Sequence, residues 1–407
     1  MIAGLQITVF LAALAFVWPF VGAVIVCVVT APRARDVALW MAGIGCALAM
    51  AVFVFPASGG ASAGWDDDPV QRAGRVMLAF GLLLNVLDYA PALAQDRLLR
   101  TLPHISTALA GLACVAANPA IGLGIVQVAL AWGVFVLARR PGQAMAGWAL
   151  VRAGSVGTFL ALSGLMLPAG TLGGGLMMAC GLSVLAGLAF FGPSWRDANS
   201  PLLFVPLAGA ALLLAMRMRT HGGMAFEAAL VAAGLLCLWL TACSSRLAQR
   251  WHLLRSFPLA LGVMAVGVGA DVAALLFLCG WCLAGGGRAG QGWAVRAVTC
   301  FPPGAPFVGC LLLLSVMADW SWLVAVLSVA GVLICLARAM PAHVGKERRT
   351  GPMDGSSFRG DSNAPVNASG NGLGYRFWPD DPAGRLACAV LTAMGLVAPL
   401  AMMLGAF

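Results

Sequence analysis

The chain has 407 residues, 61% of them hydrophobic and only 10% charged, whereas ordinary soluble domains carry about a quarter charged residues. So few charges cannot cover a water-facing surface, so most of the chain is solvated by lipid, where spanning elements are helices because every backbone polar group must bond internally. The net charge of +9 resides in arginines of short loops, the positive-inside pattern, which argues against nucleic acid as a partner.

The first apolar run, 5–30, lacks a basic n-region and a small-residue cleavage site and reads as a spanning helix rather than a signal peptide. Further runs follow at 37–57, 75–94, 103–118, 119–138, 145–167, 172–191, 201–217, 225–244, 252–268, 271–286, 298–317, 320–338 and 386–406, about fourteen spans in all. The region 252–286 is longer than the usual span and reads either as one long tilted helix or as two spans with a break at Gly267, Gly269 and Asp271. Asn118-Pro119 separates two helices. From Pro341 to Pro382 the chain turns to Gly, Ser, Asn and Asp after Lys346-Glu347-Arg348-Arg349, a flexible cytoplasmic linker before one last helix.

With the N-terminus outside, the cytoplasmic loops hold Arg33 and Arg35, Arg97 and Arg100, Arg139 and Arg140, Arg196, and then the basic clusters near 246–255, 288–296 and 338–349. The outer loops hold Asp66-Asp67-Asp68 and Asp319. Arg72, Arg75, Arg217 and Arg219 are the exceptions. The alternation predicts a multi-pass protein of the bacterial inner membrane with both termini periplasmic.

The twelve cysteines are scattered along apolar runs, and Cys279-Gly-Trp-Cys282 lies inside one, so it reads as packing rather than as a redox pair. His104, His221, His252 and His343 lie near loops or helix ends, which disfavours a haem between facing histidines. Neither a metal site nor a cofactor is expected. Polar residues inside spans are the default functional candidates because lipid penalises them. They are Asn85, Asp88, Gln127, Arg152, Glu227 and Asp271, with Asn85 and Asp88 on one helix face. Phe301-Pro302-Pro303-Gly304-Ala305-Pro306-Phe307 opens a span with three prolines in five residues, either an interrupted helix of the kind that exposes backbone at ion sites or a loop followed by a helix starting near Pro306.

The segment Ala144-Met145-Ala146-Gly147-Trp148-Ala149-Leu150-Val151-Arg152-Ala153-Gly154-Ser155-Val156 resembles the sixth-helix region of antiporter-like membrane subunits, the large subunits of respiratory complex I, of multisubunit cation/proton antiporters and of membrane-bound hydrogenases. Asn118 followed by Gln127 resembles their asparagine and fifth-helix glutamate. Trp195-Arg196-Asp197-Ala198 with Pro201 resembles the segment between their seventh and eighth helices, and Phe301 to Cys310 the entry to their broken twelfth. These anchors run in the family's order over about residues 110–315, and fourteen helices with both termini outside is the family's topology.

The resemblance implies proton movement through an acid on the fifth helix and lysines on the seventh, eighth and twelfth. Here Gln127 stands at the glutamate position, Ala186 near the seventh-helix lysine, Cys310 at the twelfth-helix position and Ser155 where an aspartate is usual. A glutamine cannot cycle a proton. The implied protein is an all-α polytopic membrane subunit with two inverted five-helix repeats that keeps the scaffold and has lost most of the conventional proton wire.

The expected organisation is N-terminal helices over 1–102, a first repeat over 103–217, a second over 218–338, a linker over 339–383 and a final helix over 384–407. The expected partners are the bilayer and other membrane subunits of an ion-translocating or quinone-linked complex of the NADH:quinone oxidoreductase or hydrogenase type. Gln127, Arg152, Asp88, Asp271 and Cys310 are the ion-path candidates, and Pro302, Pro303 and Pro306 the broken-helix candidates. The alternative function is an unrelated small-molecule transporter or flippase with Asp88, Asp271 and the 301–307 break along its path. An enzyme at the membrane face is disfavoured, because no cluster of His, Asp or Glu is available to bind metal or activate a nucleophile.

Overall fold

The computed structural model describes residues 2–55, 68–88, 96–139, 144–188, 200–243, 247–284, 300, 304–339 and 382–403. Within them every regular element is a helix: α1 (Ile2–Val28), α2 (Ala31–Val54), α3 (Pro69–Asp88), α4 (Arg97–Val115), α5 (Pro119–Ala138), α6 (Ala144–Met166), α7 (Leu172–Leu185), α8 (Ser200–Cys243), α9 (Leu247–Gly267), α10 (Asp271–Ala284), α11 (Ala305–Trp320), α12 (Trp322–Ala339) and α13 (Pro382–Met403). By length and composition α1 to α5 and α8 are apolar enough to cross a membrane. The others present apolar stretches of 10–17 described residues. The linker expected from Pro341 to Pro382 lies almost wholly outside the described residues.

Helix boundaries follow local chemistry. Asp96 caps α4 by accepting from the Leu98 amide at 3.0 Å, and Asn118 caps α5 by accepting from the Ala120 amide at 2.9 Å. Pro119 then fills the first position of α5, where its missing N–H costs nothing. The break expected within 252–286 is present between α9 and α10. Gly269 takes φ 81°, the Ala270 amide reaches back to the Ala265 carbonyl and the Gly269 amide to that of Val266, which closes α9 as a Schellman turn. Gly223, at φ 62° and ψ −164°, breaks α8 into two rods, as the separate runs 201–217 and 225–244 imply.

The first rod of α8 is the axis of the bundle. Residues 205–216 are buried on every side, as are 256–267 of α9 and 273–283 of α10, the mark of helices enclosed by other helices. Side chains tie this centre to its neighbours. Gln71 of α3 donates to the Leu213 carbonyl at 3.1 Å, and Trp281 of α10 donates to that of Val205 at 3.0 Å. By contrast α1, α2 and α12 expose large apolar residues such as Phe10, Val24, Trp40, Trp322 and Leu333, as lipid-facing surfaces do. The α6–α7 contact is built on glycine: a Cβ on Gly164 would sit 2.6 Å from the Gly174 carbonyl oxygen, and one on Gly181 2.4 Å from the Ala161 nitrogen. Small residues let backbones approach this closely, and tight packing drives helix association where the hydrophobic effect between helices is weak.

Candidate functional site

Two polar groups each hold one sequence-predicted residue, Gln127 in one and Asp271 in the other. The first lies at the contact between α5 and α6. Gln127 donates through Nε2 to the Ser155 hydroxyl at 2.8 Å and accepts at Oε1 from the Thr158 hydroxyl at 3.1 Å. Thr158 also lies 2.9 Å from the Gly154 carbonyl one turn back. Gly154 makes the approach possible, since a Cβ there would meet Leu130 of α5 at 2.4 Å. Gln127 and Ser155, the positions that depart from the antiporter-like pattern, thus bond to each other, with Thr158 completing the group. The cluster is uncharged. An amide and two hydroxyls hold two helices in register, and none of them takes up or releases a proton near neutral pH.

Arg152 does not join this cluster. It is exposed on α6, one turn before Val156 and on the same outer face as Trp148 and Phe159. Asp88 is the last residue of α3, and its side chain lies outside the described residues. Asn85, one turn earlier, is buried, and its side-chain carbonyl has no hydrogen-bond partner among the described residues.

The second gathering is at the end of the bundle where α4, α8 and α10 meet. Asp271 stands there as the first residue of α10, not deep within a span. It forms a two-point ion pair with Arg219 of α8, at 2.8 and 3.3 Å, the side chains being 26% and 31% exposed for Arg219 and Asp271. Gly269 lies beside this pair, where a Cβ would be 3.4 Å from the arginine. Two residues earlier Arg217 donates to the carbonyls of Cys114 and Ala117, each at 3.0 Å, and to that of Ala116. It therefore satisfies the orphan carbonyls at the C-terminus of α4, where the helix dipole also favours a cation. Near the other end of the bundle Arg100 of α4 donates to Val29, just past α1, at 3.0 Å. Arg217 and Arg219, which break the charge alternation, thus have structural partners. The sequence pattern did not reveal this, because both partners are remote in the chain.

The remaining candidates that the structure describes sit in apolar surroundings. Pro306 lies in the first turn of α11, where its missing N–H costs nothing. Pro302 and Pro303 are outside the described residues. Cys310 is buried in the second turn of α11 and lines an apolar cavity of about 270 Å³ with Cys300, Leu261 and Leu313. Ala186, at the C-cap of α7, is also buried. Cys279 and Cys282 are enclosed within α10, as expected of packing residues. His104 corrects the expectation that the histidines lie at helix ends. It is two turns inside α4, 1% exposed, and neither ring nitrogen has a hydrogen-bond partner among the described residues. Its single-letter context, a lone histidine in an apolar run, carried no signal of that burial. No group of three or more His, Cys, Asp or Glu placed to hold a metal occurs among the described residues.

No protein-family model matches the sequence, and no curated protein matches it. The fold is nevertheless matched among solved structures. A chain of respiratory complex I from Thermus thermophilus with bound NADH superposes with a TM-score of 0.69 at 16% identity, covering 94% of this chain and 95% of the other. A chain of the same organism's complex with bound aureothin gives 0.68, also at 16% identity, over 95% and 98%. A chain of the membrane-bound sulfane sulfur reductase, an archaeal respiratory membrane complex, gives 0.63 at 14% identity, over 95% and 94%. The coverage is nearly complete in both directions, so the likeness is to whole chains rather than to a shared pair of helices. The chain is a helical membrane protein with the fold of these respiratory-complex chains.

Proposed function

We propose that this chain is a divergent antiporter-like subunit of a larger ion-translocating or quinone-linked membrane complex, in which the conventional proton-carrying side chains have been replaced by neutral ones. The observation that carries the reading is the Gln127–Ser155–Thr158 cluster, set in a fold shared over its whole length with respiratory-complex chains. The positions that resemble the family's proton-path residues hold hydrogen-bonding groups without charge here. In this reading Cys310 and Ala186 are further replacements, and Asp88 and Arg152 are left to bond with neighbouring subunits or with lipid headgroups. An intramembrane charge must find a partner, and the exposed position of Arg152 on α6 supports a partner beyond the described residues.

The same reading has the chain cross the bacterial inner membrane fourteen times with both termini periplasmic and the 339–383 linker cytoplasmic. It also divides the core into inverted repeats over 103–217 and 218–338. Two features support the division: the break at Gly223 lies near the boundary, and the described helical rods from α4 to α12 fall five on each side of it.

Isolation of the full chain from native membranes in mild detergent tests the assembly. The expected result is co-purification with other polytopic subunits at fixed stoichiometry. A chain that runs as a stable single species without partners would overturn the reading. Reporter fusions at Gly64 and Gly355 should label opposite sides of the membrane, and labelling of the same side would refute the topology.

A further inference from the structure

Helices α11 and α12 are joined by the single residue Ser321. The stretches that line the cavity of about 270 Å³ between them, Phe307–Leu314 of α11 and Ser328–Leu336 of α12, lie at matching distances from that turn, as in a helical hairpin. Leu261 of α9 and Cys300 back the recess. Its inner wall is enclosed, with Leu261, Leu313 and Ser328 each 1% exposed, whereas Leu311 and Leu333 on its rim are more than half exposed, as lipid-facing side chains are. Phe307 is in the first turn of α11 and Leu336 in the last turn of α12, so the recess begins at the helix ends and runs inward. Over the lining stretches the helices rise about 10 and 12 Å, about a third of a hydrocarbon core of about 30 Å. No charged side chain is among the described residues that line it, and the Ser328 hydroxyl already donates to the Val324 carbonyl at 2.7 Å.

We propose that this recess holds one acyl chain of a phospholipid from the leaflet at that end, its headgroup left at the helix ends and the chain laid between α11 and α12. An apolar cavity of about 150 Å³ stays dry and takes up benzene. The larger recess here likewise lacks the polar partners that water needs, and an empty cavity forfeits packing in proportion to its volume. A spanning helix is about 10 Å across and does not enter a gap between two adjacent helices, whereas an extended hydrocarbon chain does. With no charged group in its lining, the recess takes the tail and not the headgroup. Cys310, whose position resembles the family's twelfth-helix residue, is in its wall, so the chain puts hydrocarbon where an ionisable group would need water. The site follows from these helices alone and holds whether or not the protein assembles with partners.

The test is photocrosslinking of the full chain in membranes of cells fed a diazirine-bearing fatty acid, which enters their phospholipids. Adducts are then located by mass spectrometry of the purified protein. The expected result is adducts of phospholipid mass on Leu261 and Leu313, which only a chain inside the recess reaches. Exposed Val24 of α1 and Trp40 of α2 report ordinary lipid contact. Cys310→Phe and Ser328→Leu fill the recess from its two helices, and each should lower the inner-wall adducts about tenfold while leaving those on α1 and α2 unchanged. Adducts confined to the rim, at Leu311 and Leu333, overturn the proposal, as do inner-wall adducts that both filling variants leave unchanged. Should the variants not accumulate, the wild type decides by the same division between inner wall and rim. An inner wall without adducts, as when a partner's side chain or an isoprenoid tail occupies the recess, overturns it, and so do inner-wall adducts of free fatty-acid mass.

Discussion

The two polar regions differ in what they are made of and in where they sit. Between α5 and α6, Gln127, Ser155 and Thr158 form a neutral group. Where α4, α8 and α10 meet, Arg217, Arg219 and Asp271 carry full charges. Charge survives at helix ends, where orphan carbonyls, an opposite charge and nearby water each reduce its cost. The bonded group at the α5–α6 contact consists of two hydroxyls and an amide. The contrast shows how a helix–helix contact can have polar specificity without an ionisable group, because neutral interhelical bonds locate helices at a fraction of the desolvation penalty.

The largest expected effect comes from Arg217. Replacement by Met removes three bonds to the end of α4 and leaves the carbonyl of buried Cys114 without its donor. The expected loss is about 2–3 kcal/mol, read as a lower denaturation midpoint in detergent and reduced abundance in the membrane. Arg217→Lys should recover part of it, since an ammonium reaches fewer carbonyls at once. A midpoint unchanged in Arg217→Met would mean that water serves α4 as well as the guanidinium does.

A smaller loss is expected at the ion pair. Asp271→Asn and Arg219→Gln should each cost about 1 kcal/mol, and the double variant little more than either, because both side chains are partly exposed. A double-mutant cycle with no coupling would remove the pair from the account of the α8–α10 junction. High salt should weaken the pair and leave the Gln127 cluster unaffected.

The smallest change is expected at Gln127. Gln127→Leu loses two neutral interhelical bonds, worth about 1 kcal/mol together, and Thr158 can still bond the Gly154 carbonyl. Gln127→Glu in its neutral form reproduces both bonds, donating to Ser155 and accepting from Thr158, and should accumulate to wild-type levels. Proton flux in vesicles then sharpens the comparison. Raised flux in Gln127→Glu would mark a hydrated path kept behind a neutral plug. Wild-type flux with normal abundance would leave the cluster a structural clamp, and lost abundance would show that the site tolerates no carboxylate at all.

Much of the architecture was legible in one dimension, because lipid leaves few choices: long apolar runs must be helices, and charges must fall between them. Asn118-Pro119, and Gly267, Gly269 and Asp271, announced their breaks through turn and cap chemistry that acts within a few residues. Burial rank was not legible. The run 201–217 reads like 5–30, yet the first rod of α8 is enclosed on every side while α1 faces outward. Hydropathy measures transfer out of water, and a buried helix and a lipid-facing helix satisfy it equally.

Family resemblance put Gln127 and Ser155 on the list of departures, but not their mutual bond, which depends on Gly154 bringing α6 against Leu130. Asp271 appeared deep because it follows an apolar run, and only the position of Arg219 52 residues earlier in the chain revealed a helix-end pair. The sequence by itself determined the solvent, the helical class and most helix boundaries, since these depend on composition and on bonds between near neighbours. The tertiary structure alone decided which polar groups meet, which arginines cap a helix and which residues line a cavity, because those contacts join residues tens to a hundred positions apart, where local pattern carries no information.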